Sequence, residues 1–147
     1  MPSAAFTHTA TAHAPAESVW TALDTPDVWE GIPGVERVID PVIDEGARLR
    51  GFSFETTAGG RRYLGRATPH VRVEGEAMGW QIESPEVRGV VRVDLSPLDS
   101  GTSVKVSLEV ESAGMISAMI FPMIARAIGD GLPDAVERFA AGLGDRV

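Results

Sequence analysis

Three histidines are the side chains of this chain whose ordinary pKa, about 6.5, best suits proton transfer near neutral pH. His8 and His13 lie five residues apart in one predicted strand, so their side chains point to opposite faces and cannot share a metal ion. His70 falls on the arginine-bearing face of another predicted strand, and no pair has the spacing of a zinc site or a facial triad. We therefore expect no metal site.

His8 is the residue that we predict as a catalytic acid–base group, if the chain catalyses a reaction. It shares a strand face with Phe6, Ala10 and Ala12, and this face is expected to point into the protein. A histidine in such a position can act as a general acid or base. The alternative interpretation is a structural histidine whose ring is satisfied by its neighbours.

Other chemistry-bearing groups offer polar contacts rather than nucleophiles. Tyr63, the single tyrosine, is predicted to face inward near a hairpin mouth, as a hydrogen-bonding handle for a ligand or as a rim aromatic. Glu55 follows the inward phase of its strand and is a candidate for orienting a ligand hydroxyl. The chain has no cysteine, nucleophile elbow, phosphate-binding loop or dinucleotide fingerprint, so we expect no cofactor.

One strand, two short helices, six further strands and one long helix are predicted to position these side chains. Pro15 opens the first short helix and Pro26 separates it from the second. Paired glycines in the Ala58-Gly59-Gly60 segment supply the positive φ of a hairpin turn. The predicted strands cover residues 6–13, 35–43, 47–57, 62–74, 78–83, 88–95 and 102–111.

From Met115 onward, apolar residues recur at three- and four-residue steps, which is typical of an amphipathic helix. Pro122 and Pro133 are expected to kink this helix, because each removes a backbone hydrogen bond. Its methionines Met115, Met119 and Met123 are either ordinary core or an adaptable lid over a pocket. The predicted apolar face consists of Ile116, Ile120, Ile124, Ala127, Ile128, Leu132, Val136, Phe139 and Leu143.

Arginines set the expected register of the strands, because they belong on the solvent face. With Arg66 and Arg72 outward, the inward positions of the neighbouring strands are rich in glycine, alanine and serine, which leaves either close backbone packing or a cavity. The same register points Phe52 and Phe54 outward, unless a bulge near Gly51 turns them in. The predicted ligand-binding residues are Leu49, Ser53, Glu55, Tyr63, Gly65, Trp80, Val91, Met119 and Met123. Trp80 is alternatively core, and Trp20 is expected to be core.

Composition and charge bound the class of protein. The 147 residues suit one domain, over residues 1–147, and a net charge of −8 disfavours a nucleic-acid footprint or attachment to anionic lipid. The longest apolar run, residues 113–128, is shorter than the roughly 20 residues that a membrane span needs. Residues 1–13 lack the basic start and apolar core of a secretory signal, so we expect a cytoplasmic protein. The oligomeric state stays open.

The element order, the Ala14-Pro15…Val19-Trp20 start and the glycine-rich turns resemble the helix-grip fold of the START-like (SRPBCC) superfamily. Within it, the sequence is similar to the polyketide cyclase/dehydrase and lipid-transport group. The Ile32-Pro33-Gly34-Val35 turn also resembles the branch of the superfamily that is associated with carbon monoxide dehydrogenase. The resemblance implies an α+β fold, with a curved seven-stranded antiparallel sheet around a long C-terminal helix, and an internal pocket.

Three functions follow from this resemblance and stay open at this point. The first is binding of a small hydrophobic ligand, lipid-like or aromatic, between the sheet and the last helix. The second is a polyketide aromatase/cyclase or dehydrase that uses the same pocket. The third is an accessory factor in the assembly of a larger enzyme.

Overall fold

A computed structural model describes residues 3–58 and 60–145 of the chain. Gly59 of the predicted hairpin turn lies outside the described part, as do the side chains of residues 115–117, which include Met115 and Ile116. The strands are β1 (Ser3–Ala12), β2 (Arg37–Ile43), β3 (Leu49–Ala58), β4 (Arg61–Val73), β5 (Ala77–Glu83), β6 (Val87–Leu98) and β7 (Gly101–Ser112). The helices are α1 (Ala16–Leu23), a 3₁₀ helix (Pro26–Gly31) and α2 (Met115–Asp145).

All seven strands form one antiparallel sheet in the order β1-β7-β6-β5-β4-β3-β2. The sheet curves around α2, and the predicted helix-grip architecture is confirmed. In β7, Val104, Val106, Leu108 and Val110 are buried in alternation with more exposed residues, because every second side chain faces the helix. Strand and helix periodicity therefore meet at a single concave surface.

The two short helices close one end of the concave face. Pro15 adopts an extended conformation just before α1, and Pro26 occupies the first turn of the second helix, which is a 3₁₀ helix. Val19 and Trp20 on α1 are buried and α1 contacts α2, as predicted. Trp29 is fully buried, and its indole N–H donates a 2.9 Å hydrogen bond to the Leu23 carbonyl, which joins the two helices.

An irregularity at Gly51 resolves the conflict in the predicted register of β3. Gly51 has a φ of +152°, and the pairing of β2 with β3 shifts beside it. As a result Leu49, Phe52 and Phe54 are all buried on the concave side. The outward register predicted for the two phenylalanines is wrong, and a glycine irregularity is its physical cause.

A second irregularity, between Pro69 and Val71, reverses the face of the last part of β4. Arg72 pairs with the buried Met78, so it lies on the concave face, where its side chain is 15% exposed. The predicted outward position of Arg72 is therefore wrong, whereas Arg66 is exposed as predicted.

Five aromatic side chains, which we call the aromatic cluster, fill the middle of the concave face. Trp29 contacts Trp80 and Phe139 at centroid distances of 5.8 Å each, and Trp80 contacts Phe52 at 5.4 Å. Phe54 adjoins Phe52 at 6.3 Å. Edge-on contacts of this kind are favoured by the ring quadrupoles, and the large rings supply most of the buried area here.

Candidate functional site

A pocket of about 360 Å³ opens between the sheet, the segment 32–36 and the first half of α2. It lies at the end of the sheet where β5 turns into β6, beyond Phe54, the last ring of the aromatic cluster. Apolar side chains dominate its walls. It is lined by Ile32, Pro33, Gly34, Val35, Glu36, Phe54, Thr56, Thr57, Ile82, Ser84, Val87, Gly89, Leu108, Val110, Ile124, Ala127 and Ile128.

The floor and the rim of the pocket differ in exposure. Phe54, Leu108 and Val110 are buried and form the floor, whereas Glu36 and Ala127 are exposed at the rim. A concave, mostly apolar pocket with few polar groups has the usual character of a small-molecule site, and its volume is near the lower end of the roughly 300–1,000 Å³ range.

The segment 32–36 is held in place by backbone hydrogen bonds. The amide of Ile32 donates to the Trp29 carbonyl, and that of Val35 donates to the Ile32 carbonyl. The Glu36 amide donates a 2.9 Å bond to the Glu55 carbonyl on β3. Gly34, with a φ of +93°, makes the turn between them, a conformation that favours glycine. The 3₁₀ helix and β3 thus fix one wall of the pocket.

Polar groups in the pocket are few. The Ser84 hydroxyl donates to the Val87 carbonyl at 2.9 Å and accepts from the Val87 amide at 3.1 Å, so it is already engaged. Thr56 is half-buried, and its hydroxyl lies 4.0 Å from the position that a Cβ on Gly34 would take. Thr56 therefore presents a hydroxyl where the turn meets β3, within the pocket lining.

His8 lies on the concave face of β1, as predicted, but it does not line this pocket. Its Nε2 lies 3.3 Å from Oε1 of Glu137 on α2, and its side chain is 30% exposed. The contact joins the edge strand to the helix. Its catalytic role stays a prediction.

Several predicted ligand-binding residues belong to the packed interior beyond the pocket. Leu49, Trp80 and Val91 are at most 2% exposed, and none of them is among the lining residues. Trp80 lies in the aromatic cluster, and its indole nitrogen is buried with no hydrogen-bond partner among the described residues. Gly65 lies directly beneath Phe54, whose ring occupies the space that a larger residue 65 would need. The volume predicted at the small residues is filled here by an aromatic ring.

Ser53 and Glu55 face away from the pocket, contrary to their predicted inward register. The shift at Gly51 places them on the outer face of β3, where Glu55 lies 3.8 Å from both Arg37 and Arg62. Tyr63 keeps its predicted inward face as the strand partner of Thr56, and it is half-buried just outside the lining residues.

Met119 and Met123 are exposed to solvent, at 82% and 73%, so their predicted position in the cavity is wrong. The face of α2 that reaches the pocket carries Ile124, Ala127 and Ile128 instead, and these belong to the predicted apolar face of the helix. The four-residue spacing of the methionines is compatible with either side of a helix, and the charge-free sequence around them contained no signal to choose.

A cluster of hydrogen-bonded charges lies at the other end of the sheet. Arg72 donates to both carboxylate oxygens of Asp24, at 3.0 and 3.1 Å, and to Glu74 at 2.8 Å. Its guanidinium lies 5.2 Å from the ring centre of Trp20, whose indole N–H donates to Glu74. The hydrogen bond to Asp24 is the main reason that the pKa of Arg72 is raised, and that to Arg72 is the main reason that the pKa of Glu74 is lowered. We call Asp24, Arg72, Glu74 and Trp20 the charged cluster.

The segment 32–36, Thr56 and the Ile124 face of α2 are the pocket residues that the prediction missed or assigned to the core. One signal for them is present in the sequence. Leu49, Phe52 and Phe54 share a face only if β3 is offset by one residue, and Gly51 lies at the place where the offset occurs.

Among the described residues, no group of histidine and acidic side chains is arranged to hold a metal ion. Across the same part of the chain, none of the helices combines the length and the apolar character that a membrane crossing requires.

The curved sheet gripping a C-terminal helix, with a pocket between them, defines a START-like protein. Solved structures support this class. Similar ones include the Zhui aromatase/cyclase from Streptomyces sp. R1128, with a TM-score of 0.73, 16% identity and coverage of 99% of this chain and 95% of that one. A START superfamily protein from Mycobacterium smegmatis has a TM-score of 0.68, 14% identity and coverage of 90% and 94%. Norcoclaurine synthase from Thalictrum flavum has a TM-score of 0.57, 14% identity and coverage of 93% and 86%.

Residues 3–144 match the family described as polyketide cyclase / dehydrase and lipid transport, and the chain belongs to that family. No curated protein sequence matches the chain.

Proposed function

We propose that the chain is a single ligand-binding domain that takes a compact hydrophobic ligand into the pocket at the β5–β6 end of the sheet. The observation that carries the proposal is an apolar pocket of about 360 Å³ beside a fully packed aromatic cluster. The volume favours a small rigid ligand, aromatic or polycyclic, over a long-chain lipid.

Burial of apolar ligand surface supplies the affinity in this account. At about 25 cal/mol per Å², contacts with Phe54, Leu108 and Ile128 stabilise a ligand in proportion to the area removed from water. The Thr56 hydroxyl is placed to orient one polar group of that ligand. The rim residue Ala127 is exposed on α2, so a side chain added there reaches the mouth without disturbing the core.

Binding of the neutral dye N-phenyl-1-naphthylamine, followed by its fluorescence, tests this proposal. Ala127→Trp is expected to weaken dye binding by about tenfold or more, because the indole occupies the mouth. Ala118→Trp is the matched control: Ala118 is also exposed, and nine residues place it on the opposite side of the same helix. Equal affinities of the two variants would contradict the proposal.

A second candidate function is catalysis by the same pocket, as a polyketide aromatase/cyclase or dehydrase. The family description includes cyclases and dehydrases, and the Zhui structure is named as an aromatase/cyclase. Proton transfer would then require a group that reaches the ligand, and two candidates exist. Glu36 lines the pocket, whereas His8 lies outside the lining and contacts Glu137. Loss of turnover in Glu36→Gln with normal turnover in His8→Gln would favour Glu36, and the reverse would favour His8.

A further inference from the structure

We infer that the pocket selects uncharged aromatic ligands over anionic ligands of the same skeleton. The inference rests on the proposed function, because it assigns a ligand class to the same pocket. It follows from the charges that line the pocket and from the positions of the arginines around it.

The pocket lining holds one ionisable side chain among the residues that the structure describes, and that side chain is the carboxylate of Glu36. An anionic group that enters an apolar pocket loses its hydration. Here it also meets a negative charge at the rim instead of a cation. Both effects oppose a carboxylate or sulfonate, and neither opposes an uncharged ring system.

Arginines on neighbouring elements do not supply the missing positive charge. Arg37 and Arg62 lie on the outer face of the sheet, each 3.8 Å from Glu55. Arg126 on α2 is 83% exposed at its side chain and lies 3.9 Å from Asp130. These guanidiniums point to solvent and are near carboxylates of their own.

The polar contact that the pocket does offer suits a neutral group. The Thr56 hydroxyl both donates and accepts a hydrogen bond, so it can pair with a ligand hydroxyl, carbonyl or N–H without a formal charge. A ligand with one uncharged polar group and an apolar ring system therefore matches the hydroxyl and the walls together.

Two dyes with one skeleton test the inference in the full-length protein. N-phenyl-1-naphthylamine is uncharged, and 8-anilinonaphthalene-1-sulfonate carries a sulfonate on the same anilinonaphthalene rings. For each dye, the binding that Ala127→Trp removes is taken as the pocket component. We expect the pocket to bind the sulfonate at least about tenfold more weakly than the neutral dye.

Glu36→Gln isolates the contribution of the rim carboxylate. It is expected to strengthen pocket binding of the sulfonate by about two- to fivefold and to change the neutral dye by less than about twofold. Glu45→Gln is the control, because it removes one exposed carboxylate from the β2–β3 turn, at the opposite end of the sheet.

Equal or tighter pocket binding of the sulfonate by the wild-type protein would overturn the inference and leave the proposed function standing. Failure of the neutral dye to bind in the pocket would overturn both. A Glu45→Gln effect as large as that of Glu36→Gln would also overturn the assignment to the rim carboxylate, since general charge would then explain it.

Discussion

The two ends of the concave face differ in how they are filled. At the end near α1, aromatic rings and the charged cluster occupy the space between sheet and helices, with Trp29 and Leu49 at most 1% exposed. At the β5–β6 end, the same sheet and the same helix enclose a pocket of about 360 Å³. Phe54 is the boundary, because it contacts Phe52 on one side and lines the pocket on the other.

This difference separates stability from binding within one fold. Interiors are normally close-packed, so the aromatic cluster is expected to carry much of the stability. Side chains around the pocket lack packing partners on one side and contribute less. A small domain thereby keeps an open site without losing its core.

The largest effect is expected at the aromatic cluster. Trp29→Ala should destabilise the fold by about 3–5 kcal/mol, since it leaves a cavity and removes the bond to the Leu23 carbonyl. Ile124→Ala, in the pocket wall, should change stability by about 1 kcal/mol or less, because Ile124 is only half-buried and alanine favours helix. Urea unfolding of both variants measures the contrast, and similar losses would break the comparison.

Gly65→Ala probes the boundary between the two ends. The added Cβ would overlap the Phe54 ring, so the ring must shift or the strand must move. We expect a loss of about 1–3 kcal/mol in the free energy of unfolding. Gly142→Ala on α2 is the control, because nothing lies within 4 Å of its Cβ position, and it should stabilise by about 0.5–1 kcal/mol. A neutral Gly65→Ala would show that Phe54 is not packed as described.

Acid should weaken the charged cluster and its end of the sheet. The pKa of Glu74 is lowered in the folded protein by Arg72 and Trp20, so its contribution is present above the unfolded value of 4.5 and is lost as the pH falls through the lower folded value. The pKa of Asp44 is lowered to about 2, chiefly by the Arg48 amide and the Arg50 side chain, so its contribution is lost between about pH 4 and pH 2.

Glu74→Gln is therefore expected to be less stable than the wild type at pH 7, by less than about 1 kcal/mol, and to approach it near pH 3. Urea midpoints at the two pH values give the comparison, with Glu45→Gln as the control for loss of a carboxylate outside the cluster. A constant difference across this range would contradict the assigned linkage.

The smallest effect is expected from His8→Gln. Because His8 contacts Glu137 and does not line the pocket, the affinity for N-phenyl-1-naphthylamine should stay within about twofold of the wild type. A larger loss, measured by dye titration, would extend the binding region to β1.

The fold was predictable because its signals are long and periodic. Alternation in β7 and the three- and four-residue spacing in α2 each specify one buried face, and both faces require the same partner surface. The site was not predictable in the same way. Single-residue irregularities at Gly51 and after Pro69 reverse which side chains face inward, so the faces predicted for Ser53 and Arg72 are wrong.

Small inward residues were also an ambiguous signal. Gly65 indicated unfilled volume, but a ring from the neighbouring strand covers it. The open volume lies instead beside Gly34 and Gly89. Sequence spacing alone does not say which side chain fills the space above a glycine, because that depends on the register between strands.

Amide and indole NMR signals during titration with N-phenyl-1-naphthylamine test the central claim most directly, namely that a ligand enters the β5–β6 end and not the aromatic cluster. We predict that the largest shift changes occur at the amides of Gly34, Thr56 and Gly89, with small changes at the indole N–H signals of Trp20 and Trp29. The largest changes at the tryptophan indoles, with Gly34 and Gly89 unmoved, would contradict the account.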